Sequence, residues 1–106
     1  MPKYLVQASY TVEGIKGVLK SGGSARRAVV QQMIERLDGR LEAFYYAFGE
    51  DDVYVIFDAP DNASVAAVSM TVGASGAART KTTVLLTPEE VDKATKKTVA
   101  YRPPGQ

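Results

Sequence analysis

The chain is 106 residues long, the span of one ordinary domain, and its 45% apolar content is enough to build a core, which excludes global disorder. Thirteen lysines and arginines against 12 acidic residues leave a formal charge of +1, so no general field draws nucleic acid or an anionic membrane. Cysteine and histidine are both absent, which excludes disulfides, thiol nucleophiles, thiolate metal sites, histidine-based triads and histidine-ligated zinc or haem. Any acid–base work falls to aspartate, glutamate, lysine or tyrosine.

The apolar runs, such as Val53 to Phe57, are far too short to cross a bilayer, and Met1-Pro2-Lys3-Tyr4 lacks the layout of a signal peptide. A cytoplasmic protein with no membrane partner, no nucleic-acid partner and no implied cofactor is expected.

Lys3 to Tyr10 alternates, with Tyr4, Val6, Ala8 and Tyr10 on one face and Leu5, Gln7 and Ser9 on the other; this is the first strand. Thr11 caps a short helix with an apolar stripe of Ile15, Val18 and Leu19, and Ser21-Gly22-Gly23 breaks it. Ser24 is then the expected cap of a longer helix carrying Val29, Val30, Met33, Ile34 and Leu37 at helical spacing. Asp38-Gly39 ends it, with glycine expected to take the left-handed conformation.

Arg40 to Phe48 and Val53 to Ala59 read as the second and third strands, joined by the polar turn Gly49-Glu50-Asp51-Asp52. Pro60-Asp61-Asn62 stops the third strand and starts a helix from about Ala63 to Val72, closed by Gly73 and Gly76. The fourth strand is Arg79 to Leu86. Thr87-Pro88-Glu89-Glu90 is a strong helix start, with a threonine cap, proline at the first position and a glutamate completing a capping box. This last helix runs to about Lys97, and residues 98–106 form a tail. The order β-α-β-β-α-β makes residues 1–106 a single α+β domain of ferredoxin-like type: a four-stranded antiparallel sheet, helices on one face and an extra C-terminal helix.

Helices cover only one face of such a sheet, yet the second and third strands are apolar on both sides. Leu41, Ala43, Tyr45 and Ala47 alternate with Phe44, Tyr46 and Phe48, and Val53, Val55 and Phe57 with Tyr54 and Ile56. A large exposed aromatic face is a liability on a soluble monomer, and a homodimer packed sheet to sheet removes it. The segments KYLVQASYT, SGGSARR, LEAFYYAFGEDDVYVIFDAPDNAS and SGAARTKTTVLLTPEEV together resemble the GYD domain family of small bacterial proteins of unknown function, over nearly the whole chain. The resemblance implies kinship with the dimeric α+β barrels, in which two ferredoxin-like sheets face each other around a cavity. The motif that names the family falls on Gly49-Glu50-Asp51-Asp52; Gly49 and Asp52 match it, and Asp51 stands where it has tyrosine.

Four constellations carry candidate chemistry. A cavity between facing sheets is expected to be lined by Gln7, Ser9, Phe44, Tyr46, Tyr54, Arg79 and Lys81, aromatic walls with a few polar groups, as a small aromatic or carboxylated ligand needs. Asp58 is the candidate base there if the protein is a cofactor-free isomerase, lyase or oxygenase. The alternative is a structural self-assembling module whose aromatics fill the interface. Gly23, Ser24, Arg26 and Arg27 suggest an anion site at a helix start, set against the plainer reading of arginines in solvent. The acidic turn Glu50-Asp51-Asp52 with Asp61 has oxygen ligands for a hard cation but no EF-hand spacing, so no metal is assigned. The third strand, VYVIFDA, lacks the run an RNA-recognition module requires.

Overall fold

The alternation of Lys3–Tyr10 (β1) puts Tyr4, Val6, Ala8 and Tyr10 against the helical layer, and everything else is arranged around that choice. The computed structural model describes Met1–Gln106, and after β1 come α1 (Val12–Ser21), α2 (Gly23–Arg36), β2 (Arg40–Tyr46), β3 (Val53–Asp58), α3 (Asn62–Ala74), β4 (Ala78–Leu85) and α4 (Pro88–Thr95). The sheet order is β2-β3-β1-β4 with every neighbouring pair antiparallel, a ferredoxin-like arrangement. No helix is long and apolar enough to cross a membrane.

The core forms between the sheet and the helices α2 and α3. Tyr4, Val53, Val55 and Phe57 pack with Ile34 of α2 and Val65 of α3, all buried. The Tyr4 and Phe57 rings stack with centroids 5.8 Å apart, and the Tyr4 hydroxyl donates to Asn62 Oδ1 at 2.6 Å. Burial also pushes the Tyr4 hydroxyl above its ordinary pKa, with the nearby Asp61 adding to the effect.

Helix boundaries follow their caps. Thr11 accepts from the Gly14 amide, and Thr87 and Glu90 form the complete capping box of α4. Ser24 is not the cap of α2. That helix starts two residues earlier behind Gly22, whose φ of 86° and ψ of 163° suit glycine, and no side chain caps it. At the other end the left-handed residue is Asp38, at φ 62°, not Gly39. Gly39 serves a different need: a Cβ there would sit 2.5 Å from the Asp58 carbonyl oxygen and 2.9 Å from Ile34 Cγ2.

β2 ends at Tyr46 rather than Phe48. Its pairing with β3 shifts between Leu41 and Ala43, a β-bulge, so Leu41, Phe44 and Tyr46 lie opposite Phe57, Val55 and Val53 on the helix-facing side. Ala43 and Tyr45 lie opposite Ile56 and Tyr54 on the open side. One extra residue in a strand swaps the faces of the residues on one side of it relative to those on the other.

Asp61 caps α3 through Oδ1, which accepts from the Ser64 amide at 2.8 Å. That backbone hydrogen bond holds the Asp61 carboxyl below its ordinary pKa, the Ser64 side chain adds to it, and desolvation opposes both. A group depressed on folding stabilises the fold above its unfolded pKa of about 3.9, and the benefit is lost as pH falls through the lower folded value. Asp61→Ser retains a neutral cap, so the melting-temperature advantage of wild type over this variant is expected at neutral pH and should fade on acidification. Thermal melts followed by circular dichroism at a series of acidic pH values check this; an advantage unchanged at the acid end would refute the charge contribution.

Candidate functional site

The face of the sheet turned away from the helices carries the candidate site. On it β1 contributes Lys3, Leu5, Gln7 and Ser9. Cross-strand register sets Gln7 between Tyr54 and Lys81, Leu5 between Ile56 and Thr83, and Ser9 beside Arg79. Gln7, Ser9, Tyr54, Arg79 and Lys81 therefore come together as the alternation implies. Phe44 and Tyr46 do not join them: the β2 bulge turns both to the helical side, where their rings meet edge to face at 5.3 Å and Phe44 packs against the core. Tyr45 takes their place on the open face, 71% exposed.

The centre of the polar cluster is a residue that the sequence presents only as part of an acidic turn. Asp51 is 4% exposed. Its Oδ2 accepts from Gln7 Nε2 at 3.0 Å, its Oδ1 accepts from Ser9 Oγ at 3.0 Å, and Lys81 Nζ stands 3.4 Å from Oδ2. Lys81 is itself largely in solvent, so this contact is screened and the neutral donors hold the carboxylate more firmly than the ammonium does. Asp52 fastens the hairpin over the end of β1. Its amide donates to the Ala8 carbonyl and its Oδ2 accepts from the Tyr10 amide, both at 2.8 Å, while its carbonyl accepts from the Ala47 amide.

The clue to Asp51 in the sequence was the pair Gln7 and Ser9. Two hydrogen-bonding side chains on one face of a strand flanked by apolar neighbours call for a polar partner across the sheet.

At the opposite end of the same face, Lys3 Nζ bridges Glu42 Oε1 at 2.7 Å and Asp58 Oδ1 at 3.0 Å. The bond to Glu42, then that to Asp58, holds the ammonium above its ordinary pKa. Asp58, the candidate base, is thus engaged by a cation and lies at the Lys3 end of the sheet, away from Asp51.

The suggested anion group at the start of α2 belongs to the helical side. The Gly23 carbonyl accepts from the Tyr46 hydroxyl at 3.0 Å, Ser24 and Arg27 are exposed, and Arg26 is half-buried beside Tyr10. Burial raises the Tyr10 hydroxyl pKa, the neighbouring Tyr46 adds to this, and Arg26 opposes it. The acids of the turn do not gather into a cation site: Asp51 and Asp52 face different partners, Asp61 caps α3, and no group of three or more carboxylates comes together.

The open face thus carries two cations on alternate residues of β4 and tyrosine rings on β3 and β2, with the Gln7 amide and Ser9 hydroxyl of β1 donating to Asp51. No curated protein and no solved structure gives a significant match to the chain. The GYD domain model matches residues 4–95, from the first core residue of β1 to the last residue of α4, and the chain therefore belongs to the GYD domain family.

Proposed function

We propose that the protein is a homodimer whose open sheet faces pack against each other as an α+β barrel, holding a small aromatic or carboxylated molecule between them. The observation that carries this reading is the mixed character of the uncovered face. Tyr45 and Tyr54 are exposed there beside the half-buried Leu5 and Ile56, and next to them lies the cluster of Gln7, Ser9, Asp51 and Lys81. A second copy is the natural cover, because one face already bears both signs of charge: Arg79 and Lys81 on β4, Glu42 and Asp58 near β2.

Sheets packed face to face stand about 10 Å apart, and the short side chains of Ser9, Ala43 and Thr83 leave room between them. Arg79 and Lys81 suit a carboxylate, and Tyr54 and Tyr45 suit a ring stacked against it. The cofactor-free enzyme reading is less well supported, since Asp58 and the neighbouring Glu42 are both engaged by the Lys3 ammonium.

Native mass spectrometry of the purified protein tests the proposal. The expected result is an even-numbered oligomer with an added mass that disappears on denaturation. A bare oligomer would remove the ligand and leave a self-assembling module; a monomer at micromolar concentration would overturn the barrel itself.

A further inference from the structure

Beyond β4 the chain leaves the body. Every residue from Pro88 to Gln106 is exposed, and no residue of α4 is buried. The radius of gyration is 16.9 Å, against about 13 Å for a compact chain of this length. Yet α4 has a proline start and a complete capping box, and it spans only eight residues. Isolated helices shorter than about 12–15 residues are marginal in water, so a helix specified this carefully needs a surface to pack on.

The apolar residues of this arm, Leu86, Val91, Val99 and Tyr101, are between 45% and 77% exposed. After Asp92 the arm carries Lys93, Lys96, Lys97 and Arg102 with no acidic residue, and it ends in Pro103-Pro104-Gly105-Gln106.

The complementary surface is the β2–β3 hairpin. Phe48 at its tip is fully exposed, Tyr45 precedes it exposed on the open face while Tyr46 lies on the helical side, and Glu50 comes two residues later. Aromatic side chains flanked by acid are what a basic, proline-bearing segment recognises. Within one chain the arm and the hairpin start from opposite ends of the sheet: Leu85 pairs with Lys3, whereas Asp52 bonds to Ala8.

We propose that the C-terminal arm, residues 86–106, is an exchange arm that clasps a second copy of the chain, with Tyr101 and Pro103-Pro104 covering the Phe48 hairpin and the arm's lysines facing its exposed Glu50. This rests on the homodimer proposed above and adds the contact that locks it. The arm reaches on the order of 55 Å with α4 intact and the rest extended, enough to run the length of a partner's strand.

The absence of cysteine makes a direct test available. Full-length Phe48→Cys and Tyr101→Cys chains, mixed and allowed to exchange subunits, are expected to form a disulfide joining positions 48 and 101 of different chains, identified by peptide mass. Met70→Cys paired with Tyr101→Cys, an exposed site on α3, is the control and should stay near background. In parallel, Phe48→Ser and Tyr101→Ser should each raise the dimer dissociation constant by about tenfold, with the double variant little weaker than either. Phe48 lies outside the core, so neither fold nor monomer stability should change.

A dimer by sedimentation with no disulfide between positions 48 and 101 above the control would overturn the arm and spare the barrel. A wild-type monomer would overturn both.

Discussion

Gly14→Ala is expected to destabilise the protein by about 3 kcal/mol, at the upper end of overpacking costs, although alanine is ordinarily the better helix former by roughly 1 kcal/mol. The reason is where α1 lies. A Cβ on Gly14 would stand 1.9 Å from the Ala77 carbonyl oxygen and 3.1 Å from Tyr10 Cδ1. That carbonyl is main chain at the entry to β4 and already accepts from the Thr11 amide at 3.0 Å, and the Thr11 hydroxyl donates to the Gly76 carbonyl at 2.7 Å. The carbonyl is fixed by these bonds and cannot rotate away, so α1 must lift and lose them. Gly17, one turn further along, has nothing within 4 Å of a Cβ, and Gly17→Ala should stabilise by about 0.5–1 kcal/mol. Urea unfolding of the two variants gives shifts of opposite sign if α1 is seated as described. A neutral Gly14→Ala would mean that α1 is not held against the start of β4.

Asp51→Ala is expected to cost about 1–2 kcal/mol, because it leaves the half-buried Gln7 amide without its acceptor and the Ser9 hydroxyl with only its longer contact to the Glu50 carbonyl, 3.4 Å away. Asp51→Asn retains one acceptor oxygen but turns an N–H₂ toward a donor, and should cost about half as much. Lys81 contributes little to either figure, since its ammonium is largely solvated. A double-mutant cycle with Ser9→Ala, read by chemical denaturation, is expected to show a coupling of roughly 0.5–1 kcal/mol. Strict additivity would remove Asp51 as the centre of the cluster. In the proposed dimer the same variant should also loosen any retained ligand, because Gln7 and Ser9 lose their fixed orientation.

Both expectations turn on contacts between distant parts of the chain, of which local patterns carry little trace. The caps are legible because each lies within three residues of what it caps: Thr11 with Gly14, Asp61 with Ser64, Thr87 with Glu90. The alternation of β1, β3 and β4 is legible for the same reason, and their pairing places Gln7, Ser9, Tyr54, Arg79 and Lys81 on one face. Phe44 and Tyr46 escape that logic because the bulge at Leu41 and Ala43 exists only in the pairing of β2 with β3. A period-two count carried straight through it assigns the wrong face from that point on. Gly39 reads as a glycine at a helix end, but the demand on it comes from the Asp58 carbonyl far along the chain, while the left-handed turn falls to Asp38.

The order and kind of the elements and the chemistry that is absent are written in the chain, because they rest on local periodicity, capping and composition, and the family is legible in the segments that resemble it. Three further properties arise only on folding: which aromatics line the open face, the burial of Asp51 at the centre of its polar cluster, and the lack of a seat for the capped C-terminal helix on its own chain. Each of these depends on which strand lies beside which and how closely, and burial and register are properties of pairs of segments far apart in the chain.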